Sequence, residues 1–183
     1  LHFQPQIETA SGRVVGIEAL LRWNNPVFGQ VSPLRFIGIA EETGLIQPLG
    51  DWVIWETCRL TRNLRSQGLT DVRVAINISA QQLRHDNLLL LIRGAMSCHD
   101  LSPADIELEV TESTAMQNSE VTLSILDQLA AMGIRLAIDD FGTGYSSLSY
   151  LKHLPIHRLK LDRSFVTDIE TDPNDAAICT ATI

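Results

Sequence analysis

The sequence contains little of what would tie the chain to disulfides, zinc, membranes or nucleic acid. Its 183 residues include three cysteines, Cys58, Cys98 and Cys179, which form no even set and no C-x-x-C spacing; they are predicted to be reduced core thiols. A membrane-spanning helix needs about 18 apolar residues, and no apolar run in the sequence is that long. The sequence does not begin with a signal-peptide pattern. The net charge of −8 argues against general nucleic-acid binding. The expected location is therefore cytoplasmic, and a membrane-anchored parent is compatible with it.

The residues that are present predict one α/β domain. Hydrophobic residues make up 45% of the chain, which is enough for one sizeable core at this length. Strand-like runs occur at residues 2–8, 14–21, 72–78, 106–110, 135–138 and 158–161. From the second run onward they alternate with helix-like stretches, among them residues 33–42 and 50–67. This alternation predicts a largely parallel sheet with helical crossovers.

Polar or charged residues lie late in five of these runs, where a buried strand would leave them unpaired. They are Glu18, Asn77, Glu109, the pair Asp139-Asp140, and Lys160. An unpaired buried carboxylate is costly, so such groups protonate, pair or bind a metal. The carboxyl ends of parallel strands converge on one face of an α/β barrel, and we expect these groups to meet there. The acidic and amide members offer only oxygen ligands, which favours Mg²⁺ or Mn²⁺, and they are numerous enough to hold two ions.

Taken singly, each signal has a simpler explanation. Glu-Ala-Leu is a combination of common helix formers, Asp139-Asp140 is compatible with a helix cap or a turn, and Lys160 with an exposed sheet edge. The order of four blocks along the chain is more specific. These blocks are Glu18-Ala19-Leu20-Leu21-Arg22-Trp23, Asn77-Ile78-Ser79, Glu109-Val110-Thr111-Glu112 and Asp139-Asp140-Phe141-Gly142-Thr143-Gly144-Tyr145-Ser146-Ser147-Leu148. With them the chain resembles the EAL-domain family of bacterial cyclic-di-GMP phosphodiesterases, from Gln4-Pro5 through Ser164-Phe165-Val166.

The resemblance implies a TIM-like (β/α)8 barrel of EAL type and a site for two metal ions. Glu18, Asn77, Glu109 and Asp139 map onto ligands of the first ion, and Asp139 and Asp140 onto ligands of the second. Lys160 falls on the family's active-site lysine and is expected to orient the attacking water and stabilise charge on the phosphate. The implied reaction is in-line attack of a metal-activated water on one phosphodiester of cyclic-di-GMP, giving the linear dinucleotide pGpG.

The same resemblance suggests how the substrate and a nearby loop are held. Arg22 matches an arginine that meets a substrate phosphate, Gln4 matches a glutamine near the substrate, and Leu21 and Pro33 fall near the expected guanine pocket. Glu112 resembles the carboxylate that anchors the glycine loop after strand five, so it is expected to hold that loop and not a metal. The implied partners are cyclic-di-GMP, a second copy in a homodimer, and covalently linked sensory or cyclase domains.

The sequence also departs from the family, and it leaves other functions open. The family continues beyond Ile183 with two more strands, so residues 1–183 are expected to be a C-terminally truncated phosphodiesterase domain with impaired activity as it stands. His157 replaces the usual aspartate before the Lys160 strand, which is expected to alter a local hydrogen bond. A cyclic-di-GMP receptor without catalysis is the main alternative, although receptors of that kind usually lose the signature acids that this chain retains. The other alternative is a different metal-dependent barrel enzyme, acting on phosphate or enolate substrates.

Overall fold

A mixed β-sheet is the framework on which the rest of the chain is arranged. The computed structural model describes residues 1–116, 120–144 and 148–182. Its strands are β1 (His2–Ile7), β2 (Val14–Leu20), β3 (Trp23–Asn25), β4 (Gly29–Val31), β5 (Arg73–Asn77), β6 (Ile106–Thr111), β7 (Arg135–Phe141) and β8 (Arg158–Leu161). Six of them form one sheet in the order β1-β2-β5-β6-β7-β8. Only β1, at one edge, runs antiparallel to its neighbour, so the predicted largely parallel sheet is confirmed.

Helices cross from strand to strand along one face of this sheet. They are α1 (Pro33–Thr43), α2 (Ile46–Ser66), α3 (Ala80–Leu83), α4 (Leu88–Cys98), α5 (Glu112–Ala115), α6 (Glu120–Ala131), α7 (Leu148–Leu151), α8 (Ser164–Thr167) and α9 (Pro173–Thr182), with a 3₁₀ turn at Pro103–Asp105. The predicted start of α1 at Pro33 is confirmed, and α1 ends at Gly44 in the left-handed conformation. Among the described residues, no helix is long and apolar enough to cross a membrane.

Alternation along the strands separates an apolar face from a charged one. In β6, Ile106, Leu108 and Val110 belong to the main hydrophobic cluster, together with side chains of the helices. Glu107 and Glu109 are equally buried but lie on the opposite face, because successive strand residues point to opposite sides. The face away from the helices therefore carries the ionisable groups.

The sheet is curled so strongly that side chains from its two edges touch. Arg158 on β8 donates a hydrogen bond to Gln6 on β1, with 2.7 Å between Nη1 and Oε1. Lys160 on β8 likewise reaches Glu18 on β2, although three strands lie between β2 and β8 in the sheet order. A curled parallel sheet with helices outside is the architecture expected of a TIM-like barrel, and it brings the ends of distant strands together.

The short hairpin formed by β3 and β4 was not predicted from the sequence. Its three-residue strands are too short to show alternation. The turn is instead built by Asn25, whose side-chain oxygen accepts hydrogen bonds from the backbone N–H groups of Val27 and Phe28 at 2.8 and 3.1 Å. Gly29 completes it with a positive φ of 65°.

Three side chains predicted for the core are exposed in the structure: those of Cys98, Trp52 and Trp55. Cys58 and Cys179 are buried as expected, but Cys98 is exposed at the end of α4. The spacing of Trp52 and Trp55 predicts core or interface aromatics, but the two side chains are 48% and 38% exposed on α2 and are not in the core. The buried face of α2 is carried instead by small and β-branched side chains, including Val53, Ile54 and Thr57. The three-residue spacing of the tryptophans places them on one face of α2, but it does not show whether that face packs against the core.

Gly50→Ala is expected to destabilise the protein by about 1–3 kcal/mol through overpacking. A methyl group at Gly50 would lie 1.7 Å from Nε2 of Gln82, where α2 approaches α3. Gln82 cannot move freely because it forms a reciprocal capping box with Ser79 at the start of α3. Urea denaturation measures the effect. Gly38→Ala in α1 is the matched control, because nothing lies within 4 Å of the added methyl group; there the change should be neutral or stabilising. Equal behaviour of the two variants would contradict the prediction.

Candidate functional site

Four strands of the curled sheet bring their charged side chains to one point. Glu18 comes from β2, Glu109 from β6, Asp139 from β7 and Lys160 from β8. One carboxylate oxygen of each acid lies within 4.8 Å of those of the other two. Parallel register produces this convergence: Asn77 pairs with Glu109, and Thr111 with Asp139, so successive strands end at the same edge.

The ammonium group of Lys160 lies among these three carboxylates, which we call the acidic cluster. Its Nζ is 3.1 Å from Glu18 Oε2, 2.5 Å from Glu109 Oε2 and 3.0 Å from Asp139 Oδ2. Three carboxylates against one ammonium leave an excess of negative charge in a partly buried place. A divalent cation is the kind of ligand that such an excess favours.

The side chain of Glu109, together with the donor atoms around it, shows whether the residues fit a metal. Its side chain is fully buried, and its Oε1 has no hydrogen-bond partner among the described residues. An orphaned buried carboxylate oxygen is costly unless something electropositive contacts it. The possible metal ligands of the cluster, from Glu18, Glu109 and Asp139, are all carboxylate oxygens, which suits Mg²⁺ or Mn²⁺ better than zinc. The residues present therefore fit a divalent metal ion.

Burial and mutual repulsion perturb the protonation of these groups. Burial raises the pKa of Glu109 to about 7; Lys160 opposes this shift, while the charges of Glu18 and Asp139 add to it. For Lys160, burial alone would lower the pKa, but the charge of Glu109 and its hydrogen bond, followed by Asp139 and Glu18, outweigh it and raise the pKa. Burial, followed by the charge of Asp139, also raises the pKa of Asp140.

The structure places Asn77 and Asp140 beside the acidic cluster. Asn77 donates from Nδ2 to Glu18 Oε1 at 2.8 Å, so its carbonyl oxygen is the atom with which it can bind a cation. Asp140 is exposed, and its backbone N–H donates to Asp139 Oδ1 at 3.0 Å. Its φ of 54° lies in the left-handed region, which aspartate tolerates better than most residues. Asp140 is not one of the three acids whose oxygens converge.

Glu112 holds the glycine loop that follows β7. Its buried Oε2 accepts hydrogen bonds from the backbone N–H groups of Gly142 at 2.8 Å and Gly144 at 3.1 Å. Gly142 has a φ of 101°, and a methyl group there would lie 2.6 Å from the ring of Phe165. This geometry fits a loop anchor. Residues 145–147 of the same motif lie outside the described residues.

A mostly apolar cavity of about 260 Å³ opens beside the acidic cluster. Leu21, Arg22 and Pro33 line it, as do Asn77 and Glu109, so the cavity and the cluster share a border. Arg22 is exposed and donates from Nη1 to the backbone oxygen of Leu21 at 2.7 Å. Gln4 is not among the lining residues; it is exposed on β1, paired in register with Glu18. The predicted substrate residues therefore lie around the site, with Gln4 beside its edge.

Sequence reasoning did not identify the back wall of this cavity. Apolar residues of α1 and α2 form it: Ile37, Ile46, Leu49, Gly50 and Val53. Their helical spacing was the available signal, but it indicates a packing face equally well. His157, which departs from the family pattern, accepts a hydrogen bond at Nδ1 from the backbone N–H of Leu136 at 3.2 Å.

Comparison with known proteins gives consistent matches over the whole chain. The model of the EAL domain family matches residues 1–183. The chain is 48% identical to the bifunctional diguanylate cyclase/cyclic di-GMP phosphodiesterase MucR of Pseudomonas aeruginosa and 45% identical to the cyclic di-GMP phosphodiesterase NbdA of the same organism. In both matches all of this chain is covered, but only 27% and 23% of the relatives. It thus spans about a quarter of their length.

The chain is also similar to a solved structure. The PaMucR phosphodiesterase, in complex with c-di-GMP, superposes with a TM-score of 0.94 at 48% identity. The match covers 99% of this chain and 73% of that one.

Proposed function

The chain belongs to the EAL domain family, and from this premise we propose that it is the phosphodiesterase domain, over residues 1–183, of a protein that hydrolyses cyclic-di-GMP to linear pGpG. The observation that carries the proposal is the acidic cluster of Glu18, Glu109 and Asp139 around Lys160, at the mouth of a cavity lined by Arg22. The relatives named above include cyclic di-GMP phosphodiesterases, one of them solved with c-di-GMP bound.

The chain's acids and amide would hold two Mg²⁺ or Mn²⁺ ions. Glu18, Asn77, Glu109 and Asp139 would bind the first, and Asp139 together with Asp140 the second. Bound there, the ions would neutralise phosphate charge and lower the pKa of a water. The unpartnered Oε1 of Glu109 and the all-oxygen donor set support this assignment.

The remaining site residues would bind and orient the substrate. Lys160 keeps its charge beside the carboxylates and can donate a hydrogen bond to the attacking water or to a phosphate oxygen. Arg22 offers a planar fork for a phosphate at the cavity's rim, and the apolar wall beside Leu21 and Pro33 suits the flat face of a guanine. Gln4 would contact the substrate from β1, and Glu112 would hold the loop next to Asp139 and Asp140.

We further propose that the domain works as part of a larger assembly. The chain spans about a quarter of the length of MucR and NbdA, and MucR is bifunctional, which supports covalent linkage to sensory or cyclase domains. A homodimer is proposed on the family resemblance alone.

The experiment that tests the function is hydrolysis of cyclic-di-GMP by the full-length protein, followed by chromatography, with Mg²⁺, with Mn²⁺ and with EDTA. Metal-dependent appearance of pGpG is the expected result. Calorimetric titration of cyclic-di-GMP in Ca²⁺ runs in parallel. Tight binding without product in any metal would make the protein a receptor, and the absence of both binding and product would overturn the proposal.

A further inference from the structure

A second group of charges lies on the same face of the sheet, one layer below the acidic cluster. Its centre is Glu107, which is 1% exposed and two residues before Glu109. Three arginines surround it: Arg158 with Nη1 3.0 Å from Oε1, Arg73 with Nη1 3.8 Å from Oε2, and Arg135 with Nε 3.9 Å from Oε2. The Arg158 contact is the shortest of these three ion pairs, and neither oxygen of Glu107 has a hydrogen-bond partner among the described residues.

Arg158 differs from the other two arginines because it spans the curled sheet. Besides Glu107 on β6, its Nη1 contacts Gln6 on β1, at the opposite edge of the sheet. Gly16 on β2 makes room for this contact, since a methyl group at Gly16 would lie 2.5 Å from Gln6 Oε1. The absence of a side chain there lets Gln6 reach inward.

Lys160 needs such an anchor because strand pairing does not fix it. β8 is an edge strand of the described sheet and is four residues long. Its register with β7 runs from Ala137–Arg158 and Ile138–Leu159 and then shifts to Phe141–Leu161, so the irregularity falls opposite Lys160. Arg158 lies two residues before Lys160, on the same face of the strand.

We propose that Arg158 is a positioning residue for Lys160. By joining Glu107 to Gln6, it fixes the depth and tilt of β8, and so holds the ammonium group of Lys160 within hydrogen-bonding reach of Glu18, Glu109 and Asp139. The effect on catalysis rests on the proposed function, whereas the effect on the contacts of Lys160 does not.

A double-mutant cycle on urea denaturation tests the contact without any need for activity. In the wild-type background, Lys160→Met should lower the urea midpoint. In the Arg158→Gln background it should lower the midpoint by less than about half as much, because a displaced Lys160 already makes weaker contacts with the acidic cluster. Arg135→Gln is the matched control: it also removes one arginine from Glu107, but it does not touch Gln6. There the full shift from Lys160→Met should remain. Additive shifts in the Arg158→Gln background would overturn the proposal.

Steady-state kinetics provide the second test. Arg158→Gln should lower kcat for cyclic-di-GMP by about 10- to 100-fold with little change in KM, because a misplaced catalytic group slows the chemical step more than it weakens substrate binding. Gln6→Leu should lower kcat in the same direction and by less, while Arg135→Gln should stay near wild type. Equal losses of kcat in Arg158→Gln and Arg135→Gln would point to a general effect of the charge group and against positioning. If the wild-type protein hydrolyses nothing, the proposed function fails, and the denaturation cycle still decides the role of Arg158.

Discussion

Asp139→Asn is expected to lower the hydrolysis of cyclic-di-GMP by about 10²–10³-fold or more. Asp139 is shared by the two proposed ion sites, and its Oδ2 lies 3.0 Å from Lys160 Nζ. Asparagine has the same shape, but it removes one negative charge and replaces one of the two carboxylate oxygens with an amide nitrogen, which cannot bind a cation. The variant should therefore lose the bound metal, and with it the positive charge that the metal supplies, while the fold is retained.

The measurement pairs a rate with a binding constant. Mn²⁺ affinity, followed by electron paramagnetic resonance of the free ion, should fall by at least about 100-fold in Asp139→Asn. Asp127→Asn is the control, because Asp127 is an exposed acid on α6 and does not belong to the acidic cluster, and both quantities should stay at wild-type values. A variant at Asp139 that kept more than about a tenth of the wild-type rate would refute the shared-ligand assignment.

The sequence predicted the strands and the acids at their ends well, because both follow from local patterns. The apolar run of β6 is interrupted only by Glu107 and Glu109, and the structure buries both. Local patterns could not show which of these two carboxylates joins Lys160 in the acidic cluster and which is surrounded by arginines. Contacts such as Lys160 to Glu18, 142 residues apart, depend on the curl of the sheet. The resemblance to a family supplied that pairing, and periodicity alone did not.

The misses have a common physical cause, which is that spacing does not specify direction. Trp52 and Trp55 lie three residues apart, yet both are exposed, because smaller residues carry the packed face of α2. Nothing in the local sequence singles out Arg158, because a basic residue at the start of a strand is equally typical of an exposed end. Its role becomes visible only when the two edges of the sheet meet at Gln6.

The two layers of charge suggest a division of tasks along each strand. β6 contributes Glu107 to the lower layer and Glu109 to the upper, and β8 contributes Arg158 and Lys160 in the same order. In the lower layer three arginines surround one carboxylate, and in the upper layer three carboxylates surround one ammonium. The arginines of the lower layer outnumber its carboxylate, so its charge is compensated within the described chain, whereas the upper layer retains negative charge for a cation.

Lys160→Met should be the most destabilising of these substitutions in metal-free buffer. Methionine matches the length of lysine but leaves three carboxylates without their shared counter-ion, and one of them, Glu109, is fully buried. Breaking a buried ion pair from one side costs about 3–5 kcal/mol of unfolding free energy. The loss is moderated because Glu109, whose pKa burial already raises to about 7, can take up a proton.

Urea denaturation of Lys160→Met in EDTA and in Mn²⁺ measures this effect. The midpoint should fall well below that of the wild-type protein in EDTA and recover in Mn²⁺, since a divalent cation replaces the lost positive charge and binds only the folded state. Lys152→Met, which removes an exposed lysine, should match the wild-type protein in both buffers. An unchanged midpoint for Lys160→Met in EDTA would mean that the ammonium group does not neutralise the acidic cluster. A midpoint that fell but did not recover would mean that the acids, freed of Lys160, do not hold a metal.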